Sequence, residues 1–71
     1  MKVPLKNIVW REDDFYVVKC LNVEVSSFGE TKEKALKNLQ EALDLYFEDV
    51  PIEEALKIEQ VEIISTEMDY A

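Results

Sequence analysis

The run Thr31 to Phe47, TKEKALKNLQEALDLYF, constrains the fold more than any other stretch of this chain. Ala35, Leu36, Leu39, Ala42, Leu43, Tyr46 and Phe47 recur at the spacing of one face of a 3.6-residue helix, while Lys34, Lys37, Asn38, Glu41 and Asp44 fall on the other. Thr31 stands where its hydroxyl can accept from a backbone N–H of the first turn, and Gly29 lets the chain turn just upstream. A lone helix of this length is marginal in water, so its stability must come from what it covers. The other residues have to supply a sheet.

Before the helix, Leu5 to Arg11 reads as a first strand, with Leu5 and Val9 on one side of the pleat and Ile8 and Trp10 on the other. Pro4 sits comfortably at its beginning, where no ladder donor is needed. Glu12-Asp13-Asp14 breaks the pattern as a hairpin tip, because aspartate tolerates both turn geometry and a left-handed backbone. Phe15 to Leu21 is the second strand, with Tyr16, Val18 and Cys20 on one face and Phe15, Val17 and Leu21 on the other. Asn22 marks a turn, and Val23 to Phe28 is a shorter third strand. After the helix, Glu48-Asp49-Val50-Pro51 ends the periodicity, since proline cannot continue the helical ladder. Ile52 to Lys57 is ambiguous between a helical turn and irregular chain, and Glu67 to Ala71 is expected to fray. Ile58 to Thr66 reads as a last strand, with Val61 and Ile63 on one side and Ile64 on the other.

The expected fold is therefore α+β, a single β-β-β-α-β domain over 1–71 with one helix on a four-stranded mixed sheet. A right-handed crossover and pairing of the last strand with the first give the order 3-2-1-4. One helix covers one face, which leaves the other face with more apolar surface than a small monomer ordinarily shows to water. With 71 residues and a thin core, a homo-oligomer, dimer or tetramer, is the expected support, formed through the open face or an edge strand.

Composition narrows the chemistry. One cysteine rules out an internal disulfide, and the absence of histidine removes the ordinary zinc sites and the common Ser-His and Cys-His nucleophile pairs. Cys20 inside an apolar strand is better read as a buried inert thiol than as a nucleophile. Glu12-Asp13-Asp14 offers oxygen ligands for a divalent cation, but adjacent carboxylates at a turn are usually just solvated. The lone Gly29 cannot make a phosphate-cradling loop. No catalytic residue, cofactor or metal is expected, and the chain reads as a non-enzyme. Sixteen acidic against eight basic side chains give a net charge of −8, which repels phosphate backbones and favours a basic protein partner over nucleic acid. No apolar run approaches the ~18 residues of a membrane span and no signal-peptide core precedes the folded pattern, so a cytoplasmic location is expected.

The helix carries the candidate binding surface. Leu45 projects away from the apolar stripe, and Glu41, Asp44, Glu48 and Asp49 surround it as an acidic rim. These charges oppose the helix macrodipole, as do Lys32 and Lys34 at the other end, at a cost of about 1 kcal/mol in total at low salt. The Glu33 and Lys37 pair, four residues apart, offsets a little of it. An isolated exposed leucine is common, yet an apolar anchor inside four carboxylates fits a basic partner.

The residues Glu12-Asp13-Asp14-Phe15-Tyr16-Val17-Val18, Val25-Ser26-Ser27-Phe28-Gly29-Glu30-Thr31, Lys34-Ala35-Leu36 and Glu41-Ala42-Leu43-Asp44-Leu45-Tyr46 resemble the N-terminal domain of HicB-type antitoxins. That pattern is an acidic-glycine hairpin followed by two aromatics, a strand, a G-x-T helix start and an E-A-L-x-x-Y helix body, and the resemblance covers roughly residues 5 to 50. It implies a β-β-β-α-β unit of partial ribonuclease H-like form that binds and neutralises a HicA-type toxin, a small basic ribonuclease acting on messenger RNA, by occluding it. Asp14 replaces a frequent glycine, and Leu21-Asn22-Val23-Glu24 replaces the usual L-P-G-C. The family's C-terminal DNA-binding segment has no counterpart here, so autorepression is not expected. The alternative is a stand-alone oligomeric binding module for an unknown ligand, with no toxin partner.

Overall fold

A computed structural model describes residues 3–69. Three antiparallel strands come first, β1 (Asn7–Glu12), β2 (Phe15–Cys20) and β3 (Ser26–Gly29), followed by helix α1 (Lys32–Asp49) and a single 3₁₀ turn at Ile52–Glu54. Their sheet order is β1-β2-β3. The β1–β2 hairpin closes with Glu12 opposite Phe15, so Asp13 and Asp14 form a two-residue connection, and Asp13 takes the left-handed backbone at φ 50. Aspartate suits that conformation because its short polar side chain tolerates it. β3 starts later than its apolar alternation suggests. Residues 21–24 form bends, and Cys20 N–H donating to the Val25 carbonyl at 2.9 Å leads the chain into the strand.

The helix begins as expected, with Thr31 Oγ1 accepting from Lys34 N–H at 3.1 Å. It ends at Val50, whose N–H still reaches the Tyr46 carbonyl at 3.3 Å before Pro51 stops the ladder. α1 lies over β2 and β3. Val18 and Cys20 from the sheet and Ala35, Leu39 and Leu43 from the helix form the buried core, flanked by Leu5, Tyr16, Val23, Val25 and Phe47. Leu36 belongs to the helical stripe by spacing but remains exposed. Gly29 does not serve as a flexible turn, since its φ is not positive. A Cβ there would stand 2.6 Å from the Ala35 nitrogen, so the missing side chain is what lets the first turn of α1 approach β3.

Among the described residues there is no fourth strand. Among the described residues, 61–69 have no regular structure and pair with nothing, so the four-stranded mixed sheet of order 3-2-1-4, its crossover and the ribonuclease H-like form are all replaced by a β-β-β-α fold on three antiparallel strands. The β-branched content of Ile58 to Thr66 is a local preference, and a strand exists only where a neighbour accepts its ladder. Glu67 to Asp69 are likewise irregular, while Tyr70 and Ala71 of the expected frayed end lie outside the described residues.

Asn22 explains where the chain goes instead. Its side chain is buried, with Oδ1 accepting from Lys6 N–H at 2.7 Å and Nδ2 donating to the Leu56 carbonyl at 2.5 Å. Its own carbonyl accepts from Leu56 N–H at 3.0 Å. One carboxamide thus ties the approach to β1, the exit from β2 and the segment after the helix. Replacing it removes two part-buried hydrogen bonds, to Lys6 N–H and Leu56 C=O, each worth about 1 kcal/mol net. Asn22→Ala should destabilise the fold by about 2 kcal/mol in urea denaturation. Gly29→Ala should cost about 1–3 kcal/mol in the same assay, because the helix must move off the sheet to admit the methyl group.

Candidate protein-binding surface

The helix presents its polar half directly away from the core. At the 100° advance of 3.6 residues per turn, Asp44, Glu48, Glu41, Leu45 and Asp49 occupy an arc of about 140°, centred opposite the Leu39 and Leu43 side. All five are exposed, and Leu45 is 65 % exposed. The structure therefore brings the five residues onto one face, with the leucine inside the carboxylate rim. Gln40 Nε2 donates to Asp44 Oδ1 at 3.1 Å, and among the described residues none of the four carboxylates joins an ion pair. The expected Glu33–Lys37 pair does not close. Lys34 instead meets Glu30 at 3.6 Å, outside the helix and one turn back, so it draws the cation toward the N-terminal end.

The face is polarised along its length. Lys34 and Lys37 lie on its first half and the acidic residues on its second, with no basic side chain in the last turn. A helix C-terminus exposes carbonyl oxygens that repel carboxylates, so this arrangement costs stability in the free protein. Among the described residues no ion pair offsets that cost at Glu48 and Asp49.

The other acidic cluster is committed differently. Glu12 Oε1 accepts from Trp10 Nε1 at 2.8 Å, and Arg11 Nε donates to the Asp13 carbonyl at 3.2 Å, which rigidifies the hairpin tip. Among the described residues no group of three His, Cys, Asp or Glu side chains is placed to hold a metal ion. Cys20 is fully buried beneath the helix, its sulfur 4.0 Å from Asn22 Oδ1.

The sheet face away from the helix carries Ile8, Trp10, Phe15, Val17 and Phe28, as the register requires once Val18 and Cys20 point into the core. Phe15 and Phe28 pack at 5.6 Å between ring centroids, yet Phe28 stays 64 % exposed. Beside them an open groove of about 450 Å³ is lined by Phe15, Phe28, Gly29, Glu30, Lys34 and Asn38. The groove has no signature in the sequence, because it forms where the edge of β3 meets α1. Only the alternation of Phe28 with the half-buried Ser27 and Gly29 goes with that ring facing outward.

Since Leu45 and its rim are exposed, Leu45→Ala should leave stability within about 0.5 kcal/mol of the original protein. Glu48→Lys should raise the melting temperature slightly at low salt, by about 0.3–1 kcal/mol of added stability, and the gain should shrink as salt screens the helix end. Thermal melts of the two variants at low and high salt check both.

Among the described residues no helix is long and apolar enough to cross a membrane. No curated protein and no solved structure matches the chain. Residues 5–69 match a family described as a family of unknown function, DUF7387. That match spans the sheet, the helix, the Asn22 clasp and most of the extended tail, and the chain belongs to that family.

Proposed function

We propose that this protein is a HicB-like antitoxin that binds a small basic HicA-type toxin and neutralises it by covering its RNA-cleaving surface. It acts in the cytoplasm as a binding protein, without catalytic residues, cofactor or metal of its own, and without direct contact to nucleic acid. The observation that carries the reading is the face of α1 opposite the core, where exposed Leu45 sits within Glu41, Asp44, Glu48 and Asp49. Carboxylates held at a helix end that disfavours them are stabilised when a cationic surface docks there, and the leucine supplies the apolar anchor such contacts use. A basic, RNA-binding toxin has the complementary field, which speeds encounter and rejects acidic competitors. The residue motifs shared with HicB-type domains support the same partner.

A stand-alone binding module with no toxin is the second reading, supported by the groove along Phe15 and Phe28, an apolar recess not needed for helix binding.

Titration of the protein into a purified HicA-type toxin, with cleavage of a messenger RNA as readout, tests the proposal. The unaltered protein should suppress cleavage at stoichiometric amounts. Asp44→Lys combined with Glu48→Lys should weaken binding by about 100-fold while the far-ultraviolet circular dichroism stays unchanged. Unchanged affinity in the double variant would remove this face from the interaction, and failure of the unaltered protein to bind any HicA-type toxin would favour the stand-alone module.

A further inference from the structure

Residues 61–66 form a strand-prone segment that, among the described residues, pairs with no strand. Residues 61–66, Val-Glu-Ile-Ile-Ser-Thr, contain no glycine or proline and are rich in β-branched side chains. Ile63 and Ile64 would fall on opposite sides of a pleat, and both are open to water, at 84 and 75 % exposure. A strand apolar on both sides suits a position inside a sheet rather than on its surface, and left bare it invites pairing.

Two features hold this segment away from its own body. The Asn22 clasp fixes Leu56, and Gln60 then adopts a left-handed backbone at φ 52, an unfavourable conformation for a residue with a side chain. The result is an elongated molecule, 48 Å in its longest extent, with a radius of gyration of 14.3 Å where a compact chain of this length has about 11 Å.

The molecule also carries the complementary surface. β1 is a terminal strand. Leu21 N–H donates to the Lys6 carbonyl at 2.8 Å, which sets the phase of the antiparallel ladder. Lys6, Ile8, Trp10 and Glu12 therefore bond inward to β2, and Asn7, Val9 and Arg11 turn their backbone N–H and C=O groups outward. Val9 and Trp10, on opposite faces of β1, are 40 and 38 % exposed, so this edge too is apolar on both sides. The other sheet edge is blunted, because Asn38 Nδ2 from the helix donates to the outward Phe28 carbonyl at 2.8 Å. Charge agrees with shape. Residues 58–69 contain Glu59, Glu62, Glu67 and Asp69 and no basic residue, whereas Lys6 and Arg11 bracket the exposed part of β1.

We propose that residues 61–66 of one copy add to the outer edge of β1 of a second copy, and that the second copy returns the same segment, closing a two-fold dimer. Both halves of the contact occur on every copy, so one reciprocal exchange satisfies both tails and leaves no open end for a filament. The exchange uses none of the helix residues assigned to the toxin, and either interaction can fail without the other.

Sedimentation and light scattering on the full chain across micromolar to millimolar concentration test the exchange, with a species twice the 8.3 kDa chain mass expected. Ile63→Lys combined with Ile64→Lys alters side chains that lie in solvent, so the fold should persist while the dimer dissociation constant rises at least about tenfold. Val9→Pro should do the same from the other side, since it removes only an outward N–H and proline is tolerated on an edge strand. In an equal mixture of isotope-labelled and unlabelled chains, nuclear Overhauser contacts should join Val9 of one copy to the 61–66 segment of another. A monomer at every concentration, a dimer indifferent to the tail variant, or a dimer without those inter-copy contacts would overturn the proposal.

Discussion

The seating of α1 on β2 and β3 is the constraint on which the other features depend. Val18 and Cys20 present a narrow apolar strip, and Ala35, Leu39 and Leu43 fill it. A small side chain at Ala35 and none at Gly29 bring the helix close enough for this thin core to exclude water. With so few buried groups, a methyl added at the Gly29 contact is felt by the whole domain. The same seating orients the helix, because fixing one side of it against the sheet fixes the acidic side toward solvent. It also brings Asn38 to the β3 edge, leaving β1 as the edge open to pairing.

Buried polarity plays the second part. A 71-residue chain has little apolar surface to spend on anchoring its ends, and here one carboxamide does so through two backbone groups drawn from distant parts of the sequence, with the Asn22 carbonyl adding a third bond to Leu56 N–H. Such a group is stabilising only when its buried atoms are paired, and both Oδ1 and Nδ2 of Asn22 have a partner. By bonding both Lys6 and Leu56, it closes the packed body of the protein, and the described residues that follow have no regular structure.

Much of this was legible in the residues, and the limits are physical. The helix, its Thr31 cap, the Asp13 turn and the outward face of Leu45 follow from local rules of spacing, capping and backbone freedom, and the structure places them accordingly. The start of β3 and the fate of Ile58 to Thr66 do not follow, because alternation reports what a segment prefers and not whether a partner strand lies beside it. Asn22 reads as a turn residue from its neighbours, and its partners sit 16 and 34 positions away. Gly29 reads as a hinge, whereas its reason is a close approach visible only once the helix has docked. The five-residue acidic face was legible because one helix carries all of it, while the groove at Phe28 was not, because two elements build it.

The helix face and the tail are thus separate surfaces on one small scaffold, the first proposed here for a basic protein and the second for another copy. Amide hydrogen exchange, recorded with and without a stoichiometric HicA-type toxin at a concentration where the dimer is fully formed, tests this division most directly. Added protection should concentrate at residues 41–49, with 61–66 and β1 already protected by the dimer and unchanged by the toxin. Toxin-induced protection at β1 or 61–66, with none along 41–49, would contradict the account.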